Sequence, residues 1–155
     1  MTANLTPTYT DIVSAARRIR EYIRPTPLLR SHLLDELSGG RILIKVETLQ
    51  RTGSFKFRGA FNKIRGLADQ RADANIVAWS SGNHAQAVAA AARICGFSSA
   101  IVMPQDAPRA KVDGTLKQGG EIIFYNREKE NRETIGTCVA KDRGAFIVPP
   151  YDDID

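Results

Sequence analysis

A chain of 155 residues is long enough to bury one substantial core, and 43% hydrophobic with 25% charged residues is ordinary for a globular protein. The net charge of +5 invites a nucleic-acid partner. The cations, however, interleave with acids, as in Asn126-Arg127-Glu128-Lys129-Glu130-Asn131-Arg132-Glu133, which marks a solvated helix face and argues against one.

A first helix is predicted over residues 11–23, capped by Thr10 or Asp11, because Ile12, Ala16, Ile19 and Ile23 recur at helical spacing until Pro25-Thr26-Pro27 stops it. A second, over residues 31–37, ends at Gly39-Gly40, and residues 41–47 then form a strand through Ile42, Leu43, Ile44 and Val46. A polar loop over residues 48–53 leads into a helix bearing Lys56, whose positions Phe57, Ala60, Phe61, Ile64 and Leu67 make one apolar stripe.

After Asp73 the rhythm becomes strand–helix alternation. Strands are predicted over residues 75–80, 98–103, 121–125 and 145–148, with helices over 84–95, 107–118 and 128–143. Gly96, Gly119-Gly120 and Gly144 end those helices, and Gly114 weakens the second of them. Four strands joined by three helices require right-handed crossovers and a parallel sheet covered on both faces. The fold class is therefore α/β: an αβα domain, preceded by a segment with a core stripe of its own. The close, Pro149-Pro150-Tyr151-Asp152-Asp153-Ile154-Asp155, reads as the middle of a connection.

Cys95 and Cys138 lie far apart with no CxxC or Cys/His cluster, so two buried, reduced thiols are expected rather than a disulfide framework or zinc site. The N-terminal residues lack a basic segment followed by an apolar one, and no apolar run approaches membrane-spanning length. A cytoplasmic setting and no membrane partner are expected. His32 and His84 are the only histidines, which argues against a histidine-based metal site; no metal is expected. Asp152, Asp153 and Asp155 lack the spacing of a calcium loop and read as a solvated turn.

Two segments carry chemistry. In Thr52-Gly53-Ser54-Phe55-Lys56-Phe57-Arg58-Gly59-Ala60, Ser54 is the expected N-cap, which puts Lys56 in a first turn. There the helix dipole disfavours an ammonium and favours a neutral, nucleophilic amine, with Phe55 and Phe57 supplying apolar surface. On its own, a lysine at a helix start is more often a solvated surface charge. In Ser80-Ser81-Gly82-Asn83-His84-Ala85-Gln86-Ala87 a strand turns into a helix, so backbone N–H groups converge where an anion binds. Gly82 permits a tight turn, Asn83 can donate to a phenolate-like oxygen, and the Ser81 hydroxyl can hold a proton. This loop lacks the glycines of a dinucleotide loop and the lysine of a P-loop; alone, it reads as an ordinary turn capped by Asn83. His84 is expected to lend its backbone N–H rather than act as a base.

Together with Ile101-Val102-Met103-Pro104, Ala107-Pro108-Arg109-Ala110-Lys111 and Pro149-Pro150-Tyr151-Asp152-Asp153, these segments resemble the threonine/serine dehydratase and serine racemase family of fold-type-II pyridoxal-phosphate enzymes. The resemblance runs in order from about Tyr9 to the last residue. Asn-His-Ala-Gln points to the dehydratase and racemase branch, since cysteine synthases usually carry Ser-Gly-Asn-Thr-Gly there. Phe57 stands where the family often has an aliphatic residue.

The resemblance implies pyridoxal 5'-phosphate as cofactor, held by Lys56, which also removes the substrate Cα proton. Phe55 would pack on the cofactor ring and Asn83 would bond its 3'-oxygen. Ser80, Ser81, Gly82, Asn83 and His84 would bind the substrate carboxylate, with Arg132 closing over it. Ser81 occupies the position that delivers a proton from the opposite ring face in racemases.

The implied organisation is residues 1–74 as the N-terminal part of a large domain carrying the lysine, 75–152 as a small αβα domain, and 153–155 as the start of a return to the large domain. The family's glycine-rich phosphate loop has no counterpart in the chain, so an N-terminal portion, inactive by itself, is expected. In it, much apolar surface of residues 1–74 would lack a partner. The implied activity of the complete enzyme is β-elimination of L-threonine or L-serine to a 2-oxo acid and ammonia, in a homo-oligomer acting on a small amino acid. Amino-acid racemisation, and a non-catalytic α/β module completed by a partner chain, stand as alternatives.

Overall fold

In the computed structural model, which describes residues 6–153, the chain begins with helix α1, Tyr9–Ile19. Its cap is Thr8, earlier than the expected Thr10 or Asp11. Thr8 Oγ1 accepts from Asp11 N, and the Asp11 carboxylate takes the Thr8 N–H at 2.8 Å, a capping box that also holds the Asp11 carboxyl below its ordinary range. The helix also ends earlier than Ile23. The N–H groups of Tyr22 and Ile23 both turn back onto the Ile19 carbonyl, and Pro25 bars the α conformation from Arg24.

A short hairpin follows: β1, Leu28–Arg30, is antiparallel to β2, Leu43–Lys45, with Leu29 opposite Ile44. Strand β1 was not foreseen, and β2 is shorter than residues 41–47. Between them α2, His32–Ser38, is capped by Ser31 and closed by Gly39 at φ +66°. Leu28, Leu29, Leu33, Leu37, Leu43 and Ile44 are all exposed. The expected unpartnered apolar surface in residues 1–74 is therefore present, concentrated on this hairpin and its helix.

Helix α3, Lys56–Ala68, buries the predicted stripe. Phe57, Phe61 and Ile64 are 0% exposed, and the Phe61 ring meets Tyr22 at 4.6 Å and Phe57 at 5.4 Å.

The sheet comprises β3, Asn75–Trp79; β4, Ser98–Pro104; β5, Glu121–Tyr125; and β6, Phe146–Ile147. All pairings are parallel, in the order β5-β4-β3-β6. Helix α4, Asn83–Ile94, and α5, Arg109–Lys117, lie on one face; α6, Arg132–Arg143, covers the other. Side chains alternate accordingly. Ile76, Ala78, Ile101 and Met103 pack toward α4, whereas Val77, Trp79, Ala100 and Val102 pack toward α6.

Helix α4 is apolar nearly all round because it is sandwiched between the sheet and α3, and its buried alanines keep both approaches close. One core cluster runs from Ile19 and α3 through α4 to Val148.

Two further expectations are corrected. The mixed-charge run is mostly a turn, not a helix face: Asn131 caps α6 by accepting from Glu133 N and Thr134 N, so the helix starts at Arg132 rather than residue 128. Cys138 is exposed and Cys95 only partly buried, so the pair of buried thiols does not hold; partial burial still pushes the Cys95 thiol above its ordinary range.

Candidate active site

Strand order places the site. From β3 the chain crosses to β4 on one side, and β6 returns on the other, so the strand order reverses between β3 and β6. Such a switch point opens a crevice in a parallel sheet. A cleft of about 240 Å³ lies there, walled by Phe55, Lys56, His84, Val148, Pro150 and Tyr151 among others.

The lysine reaches it through a firmly held approach. Gln50, 2% exposed, accepts from the N–H groups of Arg24 and Arg51 and donates to the Arg24 carbonyl at 2.9 Å. The chain then turns through Thr52 at φ +59° and Gly53 at φ +72°. Ser54 is extended, and its hydroxyl is buried without a partner, so it does not cap α3 as expected. Phe55 takes the cap position with no side-chain bond, and Lys56 is the first helical residue.

The helix start is fixed instead by Arg58. Its guanidinium forks onto Glu47 at 2.7 and 2.8 Å, while the Thr26 hydroxyl donates to the same carboxylate at 2.5 Å. Arg58 holds the Glu47 carboxyl down to about 2, with Thr26 and Lys45 assisting against partial burial.

Lys56 Nζ donates to the Pro150 carbonyl at 2.6 Å and lies 5.3 Å from the centre of the Phe55 ring, itself 59% exposed. His84 is buried, and its Nε2 bonds the Val148 carbonyl at 3.0 Å. Burial pushes the imidazole below its ordinary range, the Val148 bond opposes this, and the Lys56 charge adds to it. The ring of His84 thus has a structural tie that the sequence reading, which gave it only a backbone role, missed.

The loop over residues 80–84 joins β3 to α4. Ser80 N bonds the Val102 carbonyl, and Gly82 N bonds Ser80 Oγ at 3.1 Å, so two of its N–H groups are engaged within the fold. No side chain caps α4, and Ser81 and Asn83 are exposed at its start. A Cβ on Gly82 would meet nothing within 4 Å, which leaves open space beside the loop. Asn83 Oδ1 accepts from Lys111 Nζ at 2.6 Å. Arg132 opens α6 and donates to the Tyr151 hydroxyl at 3.0 Å. Lys63 and Asp153, paired at 3.0 Å, form one edge of the cleft.

Of the expected site residues, Phe55, Lys56 and His84 line one cleft; Ser80, Ser81, Gly82 and Asn83 form the adjoining turn; Arg132 touches the cleft through Tyr151. The Glu47–Arg58–Thr26 clamp escaped the sequence reading, because partners 11 and 21 residues apart leave no periodic trace.

Residues 19–155 match the family model described as pyridoxal-phosphate dependent enzyme. L-threo-3-hydroxyaspartate ammonia-lyase of Saccharomyces cerevisiae is 46% identical over 151 residues, covering 97% of this chain and 46% of that protein. Serine racemase of Schizosaccharomyces pombe is 42% identical over 146 residues, 94% of this chain and 45% of the other. Among solved structures, a pyridoxal 5'-phosphate-dependent aspartate racemase superposes with a TM-score of 0.88 at 34% identity, covering 96% of this chain and 48% of that one. The threonine deaminase of T.th. gives 0.83 at 41% identity, covering 95% and 46%. The chain spans about half the length of the curated relatives it matches.

Proposed function

The chain belongs to the pyridoxal-phosphate-dependent enzymes, with the α/β architecture of their fold-type-II members, and on that premise we propose that the complete protein removes ammonia from a β-hydroxy amino acid, L-threonine or L-serine. The observation that carries this is the Lys56 amine, held at the switch-point cleft by the Pro150 carbonyl. Substrate loses water between Cα and Cβ, and hydrolysis of the resulting enamine releases a 2-oxo acid and ammonia.

The donor set fits the cofactor: an amine for its aldehyde, an exposed Phe55 face beside that amine, an amide at Asn83 and an uncapped helix start for negative oxygens. When bound, pyridoxal phosphate supplies an electron sink that acidifies the substrate Cα proton. Lys56 holds the cofactor and then takes that proton on Nζ. Ser80, Ser81, Gly82, Asn83 and His84, at the start of α4, hold the substrate carboxylate. Arg132 leaves Tyr151 to close on the same carboxylate, and Phe55 packs against the ring. In this reading residues 1–74 are part of a large domain, residues 75–152 a small one, and residues 153–155 lead back to the large domain. The complete enzyme is a cytoplasmic homo-oligomer.

Racemisation is the second reading. It rests on the exposed Ser81, a hydroxyl placed to exchange a proton, and on the likeness to serine and aspartate racemases.

Borohydride reduction of the complete protein with pyridoxal phosphate, followed by peptide mapping, tests the proposal. The label is expected on Lys56, and Lys56→Ala is expected to abolish it and lower turnover by roughly 10³-fold or more. A label on another lysine, or none, overturns the reading. Pyruvate and ammonia from L-serine support elimination; D-serine as the main product supports racemisation.

A further inference from the structure

We propose that Lys111 is a positioning residue for the cofactor site, fixing the Asn83 amide so that its Nδ2 group is the one turned toward an anionic ligand oxygen. This inference rests on the pyridoxal-phosphate reading of the cleft. An ammonium has three donors and no acceptor, so the 2.6 Å contact requires the Asn83 oxygen to face Lys111. The opposite edge of the amide then carries only donors. An unheld asparagine presents its oxygen as readily as its NH₂ group, and an oxygen facing a phenolate repels it. The lysine removes that choice.

The placement of Lys111 has no counterpart in stability. It sits in the first turn of α5, a turn without an acidic residue, and its ammonium lies against the first residue of α4. Helix dipoles disfavour a cation at both places and favour an anion beside it.

The contact is also built in by packing. Gly114 lies three residues beyond Lys111, and Gln86 three beyond Asn83. The end of the Gln86 side chain lies over the bare Gly114 Cα, where a Cβ would stand 2.7 Å from its Nε2, in the register that pairs Lys111 with Asn83. Thr115, 0% exposed, donates its hydroxyl to the Lys111 carbonyl at 2.8 Å and anchors that turn. This accounts for a glycine that weakens the helix by sequence alone.

The test uses the complete protein loaded with pyridoxal phosphate and reads the balance of the cofactor's two visible bands, anionic against neutral ring oxygen. Lys111→Met is expected to shift that balance about tenfold toward the neutral form, the equivalent of one pKa unit. Lys111→Arg is expected to restore most of it. Asn83→Ala should produce a similar shift, and adding Lys111→Met to Asn83→Ala should produce no more. An unchanged balance in Lys111→Met overturns the proposal. So does an undiminished lysine effect in the Asn83→Ala background, which marks direct action of the charge. If Lys111→Met does not fold, as judged by circular dichroism, Lys111→Gln makes the same comparison. Absence of borohydride labelling at Lys56 in the unaltered protein overturns both this inference and the cofactor reading. Labelling with an unchanged balance in Lys111→Met overturns this inference alone.

Discussion

The imidazole of His84, in the first turn of α4, bonds the carbonyl of Val148, just past β6, at 3.0 Å. A carbonyl only accepts, so Nε2 carries the proton and the ring is held as one tautomer. The bond ties together the two connections that flank the switch point, and with them the walls of the cleft.

Burial of this imidazole makes stability depend on pH near neutrality. Burial puts the folded-state pKa of His84 below the ordinary 6.5, so the unfolded chain takes up this proton first as pH falls. The stabilisation is full above about pH 6.5 and declines as pH drops through that value. Urea unfolding between about pH 7.5 and pH 5 is expected to show the decline, and His84→Gln to remove it. His84→Ala leaves the Val148 carbonyl without its partner and is expected to cost about 1–3 kcal/mol at neutral pH.

Glu47 acts in a separate window. Its carboxyl is lowered from 4.5 to about 2 in the fold, so its contribution is complete above about pH 4.5 and is lost as pH falls toward 2. Acid titration of stability in Glu47→Gln is expected to lack this limb while keeping the one due to His84. Arg58→Met is expected to abolish the Glu47 limb too, because the guanidinium is the main cause of the shift.

Two helical glycines are expected to respond differently to alanine. A Cβ on Gly136 would lie 2.5 Å from the Trp79 ring, which is rigid and buried against α6. Gly136→Ala is expected to destabilise by about 1–3 kcal/mol, outweighing a helix-propensity gain of about 1 kcal/mol. At Gly114 the obstacle is the flexible end of Gln86, so Gly114→Ala is expected to stay within about 1 kcal/mol of the unaltered protein. Thermal melts of the two variants check the contrast.

Thr52 is a β-branched residue at φ +59°, with its hydroxyl buried and unpartnered, in the turn that leads to the Lys56 helix. Both features cost stability. Thr52→Gly removes both at the expense of a freer unfolded chain, and a net gain of about 1 kcal/mol is expected in denaturant unfolding.

What was legible in the sequence was local. Short continuous apolar runs marked the strands, helical spacing marked the stripe from Phe57 to Leu67, and glycines marked the helix ends, because burial on both faces of a sheet or one face of a helix leaves a local trace in the chain. The two chemical segments were legible for the same reason: each is contiguous. Caps were less so. Thr8 rather than Thr10 or Asp11 caps α1, and α6 starts after Asn131 rather than at residue 128, a choice made among neighbouring polar residues by backbone geometry.

By itself, then, the sequence determined an α/β chain with a lysine-bearing helix and a strand-to-helix loop, and a resemblance that matches the family. Only the tertiary structure decided that β6 lies beside β3 and that a cleft opens there. It likewise decided that Lys56 meets Pro150 across 94 residues and that Lys111 meets Asn83 across 28. Contacts of that kind depend on how the crossovers bring distant segments together, and no local pattern records the path.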